Sequence, residues 1–195
     1  MRTLHVDNRW GMECVGYHAQ ARPNTGTIAA IQTLQKDVTR RSPVPLHLIP
    51  ASALHISVFT FLPAGPPSDR VDRAWREIHS ALTSQGGCDL SQTAMSILFQ
   101  RIAFTEKAII LLTSEQPAVY VQMRTQFRTI LESLNLDAPS YDQTHLTIAR
   151  YAESGTIDDC AVAPIEEGAV DFLASFETVQ LCRERLFPSL TADRL

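Results

Sequence analysis

Leu54-His55-Ile56-Ser57-Val58 and Thr144-His145-Leu146-Thr147-Ile148 are the two stretches whose reading decides the fold. Each lies in an apolar run, residues 53–61 and 144–149, and such short runs read as strands. A strand alternates its side chains, so His55 and Ser57 share one face while Leu54, Ile56 and Val58 take the other. His145 and Thr147 stand in the same relation to Leu146 and Ile148. Two imidazoles, each with a hydroxyl one pleat away, can give and take protons near neutral pH without a metal.

The motif alone is weak. Two His-x-Ser/Thr pairs among six histidines arise by accident in roughly one chain in four, so the surroundings decide. His5, His18, His47 and His79 lack the pattern, and for either stretch alone a buried histidine satisfied by a neighbouring hydroxyl is the plainer reading. The surroundings repeat, however. A strand over 13–21, a helix over 25–40 and the His55 strand are followed by a strand over 107–113, a helix over 117–134 and the His145 strand. The histidines stand ninety residues apart, too far for a local zinc or turn motif. The repeated order predicts an α+β fold, a single domain over 1–195. It is expected to form two pseudo-symmetric lobes, approximately 13–104 and 105–195, each an antiparallel sheet backed by helices, with both histidines facing a central groove.

These residues resemble the two-histidine (2H) phosphoesterase superfamily, which includes RNA 2′,3′-cyclic phosphodiesterases and 2′-5′ RNA ligase-like proteins. Leu54-His55-Ile56-Ser57-Val58-Phe59 followed by Leu62 is similar to the first family motif, and His145-Leu146-Thr147-Ile148-Ala149-Arg150 to the second, trailing arginine included. The resemblance extends to the hairpin-like stretch 95–113 and a closing strand at 176–182. Thr144 departs from the proline that many members carry, and Ser57 is a serine at the first hydroxyl position. The resemblance implies hydrolysis of a cyclic phosphodiester, with His55 protonating the leaving oxygen and His145 activating water; the residues themselves do not order the two. Ser57 and Thr147 are the expected phosphate-binding hydroxyls.

Further residues are candidates for substrate contact. Phe59 and Tyr151 continue the histidine faces if the strands stay regular. His18 lies on the polar face of the first strand with Gln20. Arg150, three residues past Thr147, falls on the opposite face of a regular strand, where a salt bridge competes with phosphate binding. The expected partner is a nucleotide or RNA 3′ end carrying a cyclic phosphate, with no cofactor and no metal. Two alternatives stand beside hydrolysis: a noncatalytic RNA- or nucleotide-binding module, and 2′-5′ RNA ligation at the same groove.

The rest of the chain bounds these readings. A net charge of -4 argues against tight binding to long duplex nucleic acid, which needs many basic contacts. No apolar run reaches membrane-span length and Met1-Arg2-Thr3-Leu4-His5 does not open like a signal peptide, so a cytoplasmic monomer is expected. Cys14, Cys88, Cys160 and Cys182 lack metal-ligand spacing and are expected to be reduced, mostly buried thiols. Asn24 or Thr25 caps the first helix, and a second, after Ser68, carries Val71, Trp75, Ile78 and Leu82 before Gln85-Gly86-Gly87 closes it. The third helix turns Tyr120, Met123, Phe127, Ile130 and Leu134 inward, which leaves Arg124 and Arg128 on solvated faces. Residues 153–171 read as an acidic loop with a short helix. Arg183-Glu184-Arg185 is expected at the surface.

Overall fold

A computed structural model describes residues 1–84, 90, 94–141, 143–168 and 170–195. The expected helix end at Gln85-Gly86-Gly87 and the thiol of Cys88 lie outside them. The fold is α+β, as expected. A four-stranded sheet runs β11 (Thr191–Arg194), β10 (Gln180–Leu186), β2 (Glu13–Ala21), β4 (Ile56–Gly65). A five-stranded sheet runs β3 (Leu46–Leu48), β7 (His145–Tyr151), β6 (Ala108–Thr113), β5 (Met95–Phe104), β9 (Phe172–Phe176). A small pair joins β1 (Arg2–Leu4) to β8 (Gly155–Ile157), and all these pairings are antiparallel.

Helix α1 (Thr25–Arg41) starts where Asn24 accepts the Thr27 N–H at 2.9 Å and ends ahead of Pro43, which disfavours helical dihedrals in the residue before it. Helix α2 (Asp69–Ser84) follows Ser68, and α3 (Ala118–Ser133) buries Tyr120, Met123, Phe127 and Ile130 on one stripe. In the acidic stretch, β8 is followed by α4 (Asp159–Glu166), capped by Asp158.

The sheets do not follow the expected division near residue 104. Strand β5 from the first half joins the five-stranded sheet, and β10 and β11 from the second half join the four-stranded one. The helices cross over too. α1 packs on β7 and β9, whereas α3 packs on β4. Each motif strand is therefore backed by the helix of the other repeat. The stretch expected as one closing strand, 176–182, is the end of β9, a break at 177–179, and the start of β10, because the chain there passes from one sheet to the other.

Under the four-stranded sheet an aromatic core forms. Tyr17 stacks on Trp75 at 4.4 Å between ring centres, and Phe61 meets both Trp75 and Phe127 edge-on. Trp75 is thus a core residue, as its place on the helical stripe implies.

Candidate active site

Both motif strands depart from regular pleating at the same point. Along β4, Ser57 and Phe59 oppose the consecutive residues Gln20 and Ala19 of β2, which leaves Val58 as an extra residue. Along β7, Thr147 and Ala149 oppose the consecutive residues Ile110 and Ile109 of β6, which leaves Ile148 extra. A β-bulge follows each motif hydroxyl. An extra residue resets which side chains share a face, so the residue five past each histidine, Thr60 or Arg150, joins the histidine's side. Phe59, Ala149 and Tyr151 are turned inward and are at most 1% exposed.

This corrects two expectations at once. Phe59 packs on Phe61, Phe127 and Tyr141, and the Tyr151 hydroxyl donates to the Thr105 carbonyl at 2.8 Å, so both are core groups away from the cleft. Arg150 does reach the cleft.

The cleft, about 160 Å³, is lined by His55, Ser57, His145, Thr147, Arg150 and His18, with Glu184 and the turn Phe187 to Ser189 closing one side. His55 Nδ1 lies 2.8 Å from the Ala53 carbonyl, which can only accept, so Nδ1 carries a hydrogen and Nε2 turns toward the Ser57 hydroxyl at 3.2 Å. Burial pushes the His55 pKa down to about 4; the Ala53 carbonyl and the Glu184 charge oppose that shift, while His18 adds to it. His145 is also lowered, first by desolvation and then by the positive charges of Arg124 and Arg150. Although its side chain opens to solvent, the surrounding walls still weaken its hydration.

Two hydrogen-bonded pairs frame the centre. His18 Nε2 meets Glu184 Oε2 at 2.8 Å, and His18 Nδ1 lies 3.3 Å from the Thr60 hydroxyl. Glu184 Oε1 also accepts the Ser189 N–H, and its carboxyl is held below the usual range: desolvation acts upward, but the His18 and Ser189 hydrogen bonds outweigh it. Gly16 makes room for this pair, because a Cβ there would sit 2.9 Å from His18 Nε2 and from the Ala64 backbone. On the other side Arg150 pairs with Asp7 at 3.0 Å and lies over the Phe187 ring. Glu184 is 3% exposed, so the expected surface position of Arg183-Glu184-Arg185 is corrected at its middle residue. Alternation carried from Cys182 through Leu186 would have turned Glu184 toward His18, since Cys182 pairs with His18 and Glu184 with Gly16.

Each bulge carbonyl is bound by a buried helix side chain. Gln35 of α1 donates to Ile148 O and Ile49 O, both at 2.8 Å. Arg124 of α3 donates through Nε to Val58 O at 2.9 Å and through Nη2 to the Thr144 hydroxyl at 3.3 Å. Arg124 is only 4% exposed, contrary to its expected solvated face, because α3 lies flat on β4 and buries more than its apolar stripe.

Cys14 and Cys182 are buried as expected, Cys160 is exposed, and burial pushes the Cys14 thiol up to about 11. No metal-holding group of three or more His, Cys, Asp or Glu side chains occurs among the described residues, and none of their helices is long and apolar enough to cross a membrane.

No family model and no curated protein sequence matches the chain. Solved structures do match. TT0787 of Thermus thermophilus superposes with a TM-score of 0.61 at 13% identity, over 92% of this chain and 94% of that one. E. coli LigT complexed with 3′-AMP gives 0.59 at 14% identity, over 94% of each chain. The MHV ns2 PDE domain gives 0.53 at 14% identity, over 86% of this chain and 98% of that one. Identity this low speaks for architecture alone, and on that evidence the chain has the two-histidine phosphoesterase fold to which its two motifs pointed.

Proposed function

We propose that this chain is a metal-independent phosphodiesterase that opens a cyclic phosphodiester: a nucleoside 2′,3′-cyclic phosphate, an RNA 3′ end carrying one, or a related cyclic nucleotide. One observation carries the reading: His55, Ser57, His145 and Thr147, from strands ninety residues apart in sequence, line a single cleft. E. coli LigT was solved with 3′-AMP and with ATP, which supports a nucleotide as the ligand class.

The polar surroundings suggest how the histidines divide the work. His55 has a carbonyl acceptor on Nδ1 and the Glu184 charge nearby, which favour its cation against His18 and Arg22; His145 has two arginines, which disfavour it. In the free protein burial lowers the proton affinity of both rings. The negative charge of an arriving phosphate favours proton uptake, and the family resemblance gives the acid role to His55, which has the Ala53 carbonyl and Glu184 beside it to hold the added proton. Water then attacks phosphorus as His145 Nε2 or Nδ1 takes its proton, and the departing sugar oxygen takes the proton of His55 Nε2. The product is a phosphomonoester, and proton exchange with solvent resets the pair. Ser57 and Thr147 donate to the nonbridging oxygens as charge builds on them.

Turnover of nucleoside 2′,3′-cyclic phosphates, ADP-ribose cyclic phosphate and 2′-5′ dinucleotides in EDTA tests this. A phosphomonoester product is expected, with a bell-shaped dependence of rate on pH. Activity lost in EDTA and restored by a divalent ion would overturn the metal-free mechanism. Binding with no turnover of any panel member would put a nucleotide-binding module in its place.

A further inference from the structure

Arg124 is a buried cation whose hydrogen-bond partners are all uncharged: the Val58 carbonyl, the Gln116 side-chain oxygen and the Thr144 hydroxyl, with the Tyr141 ring 4.7 Å from its guanidinium carbon. Guanidinium keeps its proton in proteins, and a buried charge without a counter-ion is costly. Among the described residues no carboxylate pairs with it. Packing alone does not account for it, since an apolar side chain would fill the same space without that cost.

Its partners say what it does. Val58 is the bulge residue beside Ser57, and Thr144 immediately precedes His145. One rigid planar group therefore spans the backbone behind one catalytic strand and the entry to the other. Thr144 is also where the second motif departs from proline, which would offer no hydroxyl to this guanidinium.

We propose that Arg124 is a positioning residue of the two-histidine centre: it ties the β4 bulge to the start of β7, so setting the gap that must hold the phosphate, and keeps a positive charge behind His145. The proposal rests on the phosphodiesterase reading for its kinetic consequence, though not for its electrostatic one. Its counterpart is Gln35, which ties the β7 bulge to Ile49 ahead of the first motif with no charge. Among the described residues, the titratable and charged groups around His145 are Arg124 from α3 and Arg150 on its own strand, with His55, His18 and Glu184 across the cleft.

The variants Arg124→Met, Arg124→Lys, Thr144→Val and Gln35→Met, each checked for folding by circular dichroism and melting, separate these roles. The titration of the His145 ring is followed by NMR, and turnover is measured on the best cyclic phosphate. In Arg124→Met the His145 midpoint is expected to rise toward 6.5, and kcat to fall about 10²-fold with KM changing less, as for small misplacements of reacting groups. Arg124→Lys keeps the charge, so the titration stays near wild type while kcat falls, because an ammonium cannot span both strands with the same planar fork. Thr144→Val lowers kcat with the titration unmoved. Gln35→Met leaves the titration unmoved as well.

A folded Arg124→Met with wild-type titration and wild-type kcat overturns the proposal, as does a Gln35→Met that raises the His145 midpoint equally, since loosened packing would then explain both. If Arg124→Met does not fold, Arg124→Lys and Thr144→Val decide: reduced kcat in both supports the tie, and wild-type kcat in both overturns it. If the wild type turns over no cyclic phosphate, the functional reading fails, and the His145 titration of the same variants still supports or overturns the charge behind His145.

Discussion

Strands β4 and β7 carry the same backbone device in different electrostatic surroundings. Each has a histidine at its start, immediately before β4 and as the first residue of β7, then a hydroxyl two residues on and a bulge directly after it, and in each a side chain from the other repeat's helix binds the bulge carbonyl. The first histidine then meets a mixed set, the Ala53 carbonyl and Glu184 favouring its cation and His18 and Arg22 opposing it, whereas the β7 histidine meets Arg124 and Arg150, which both oppose its cation. On the proposed phosphodiesterase reading, equivalent geometry with unlike neighbours suits the two rings to separate acid and base roles. Two identical rings would compete for the same proton, and unlike neighbours push their proton affinities apart as substrate arrives.

The severest way to break this comparison is to remove either ring. His55→Ala and His145→Ala should each lower kcat by about 10²- to 10⁴-fold, and the double variant by less than the product of the two, because the groups act as a unit. Wild-type turnover by either folded variant would end the two-histidine account.

Smaller losses should come from the hydroxyls. Ser57→Ala and Thr147→Ala each remove a hydrogen bond to a charged oxygen, worth about 1.5–3 kcal/mol. Equal losses at the two positions would support equivalent phosphate contacts, and steady-state kinetics on the same substrate reads them.

Titration of the fold sharpens the comparison from the other side. His55 in the folded protein takes its proton only at about 4, against 6.5 in an unfolded chain. The stability it contributes is therefore complete above pH 6.5 and lost as pH falls through that window toward 4. Urea unfolding between about pH 7 and about pH 4.5 should show the wild type weakening faster than His55→Ala. Parallel curves would mean that His55 is not held neutral.

The mildest test concerns the aromatic that the bulge turned inward. Tyr151→Phe removes only the bond to the Thr105 carbonyl and should cost about 1 kcal/mol of stability with KM unchanged. A raised KM would return Tyr151 to the binding surface and contradict the bulge in β7.

By itself the sequence determined the elements and the chemistry-bearing pair. Alternation is a property of neighbouring residues, so the strands carrying Ser57 and His145, the hairpin of β5 and β6, the Asn24 cap and the helix stripes were all legible before any contact was known. The first motif strand, expected from residue 53, nevertheless starts only at Ile56, after the turn Ala51–Ala53. Resemblance joined the two motifs to one fold. Tertiary structure decided the rest. A bulge exists only against the register of a partner strand, so no pattern within 145–151 could turn Arg150 into the cleft, and none within 56–65 could turn Phe59 out of it. Burial depends on what packs against a face. Arg124 and Glu184 read as solvated from their own elements and became interior groups only when α3 settled on β4 and β10 lay beside β2. Local periodicity identifies the strands; the partners across them aim the side chains.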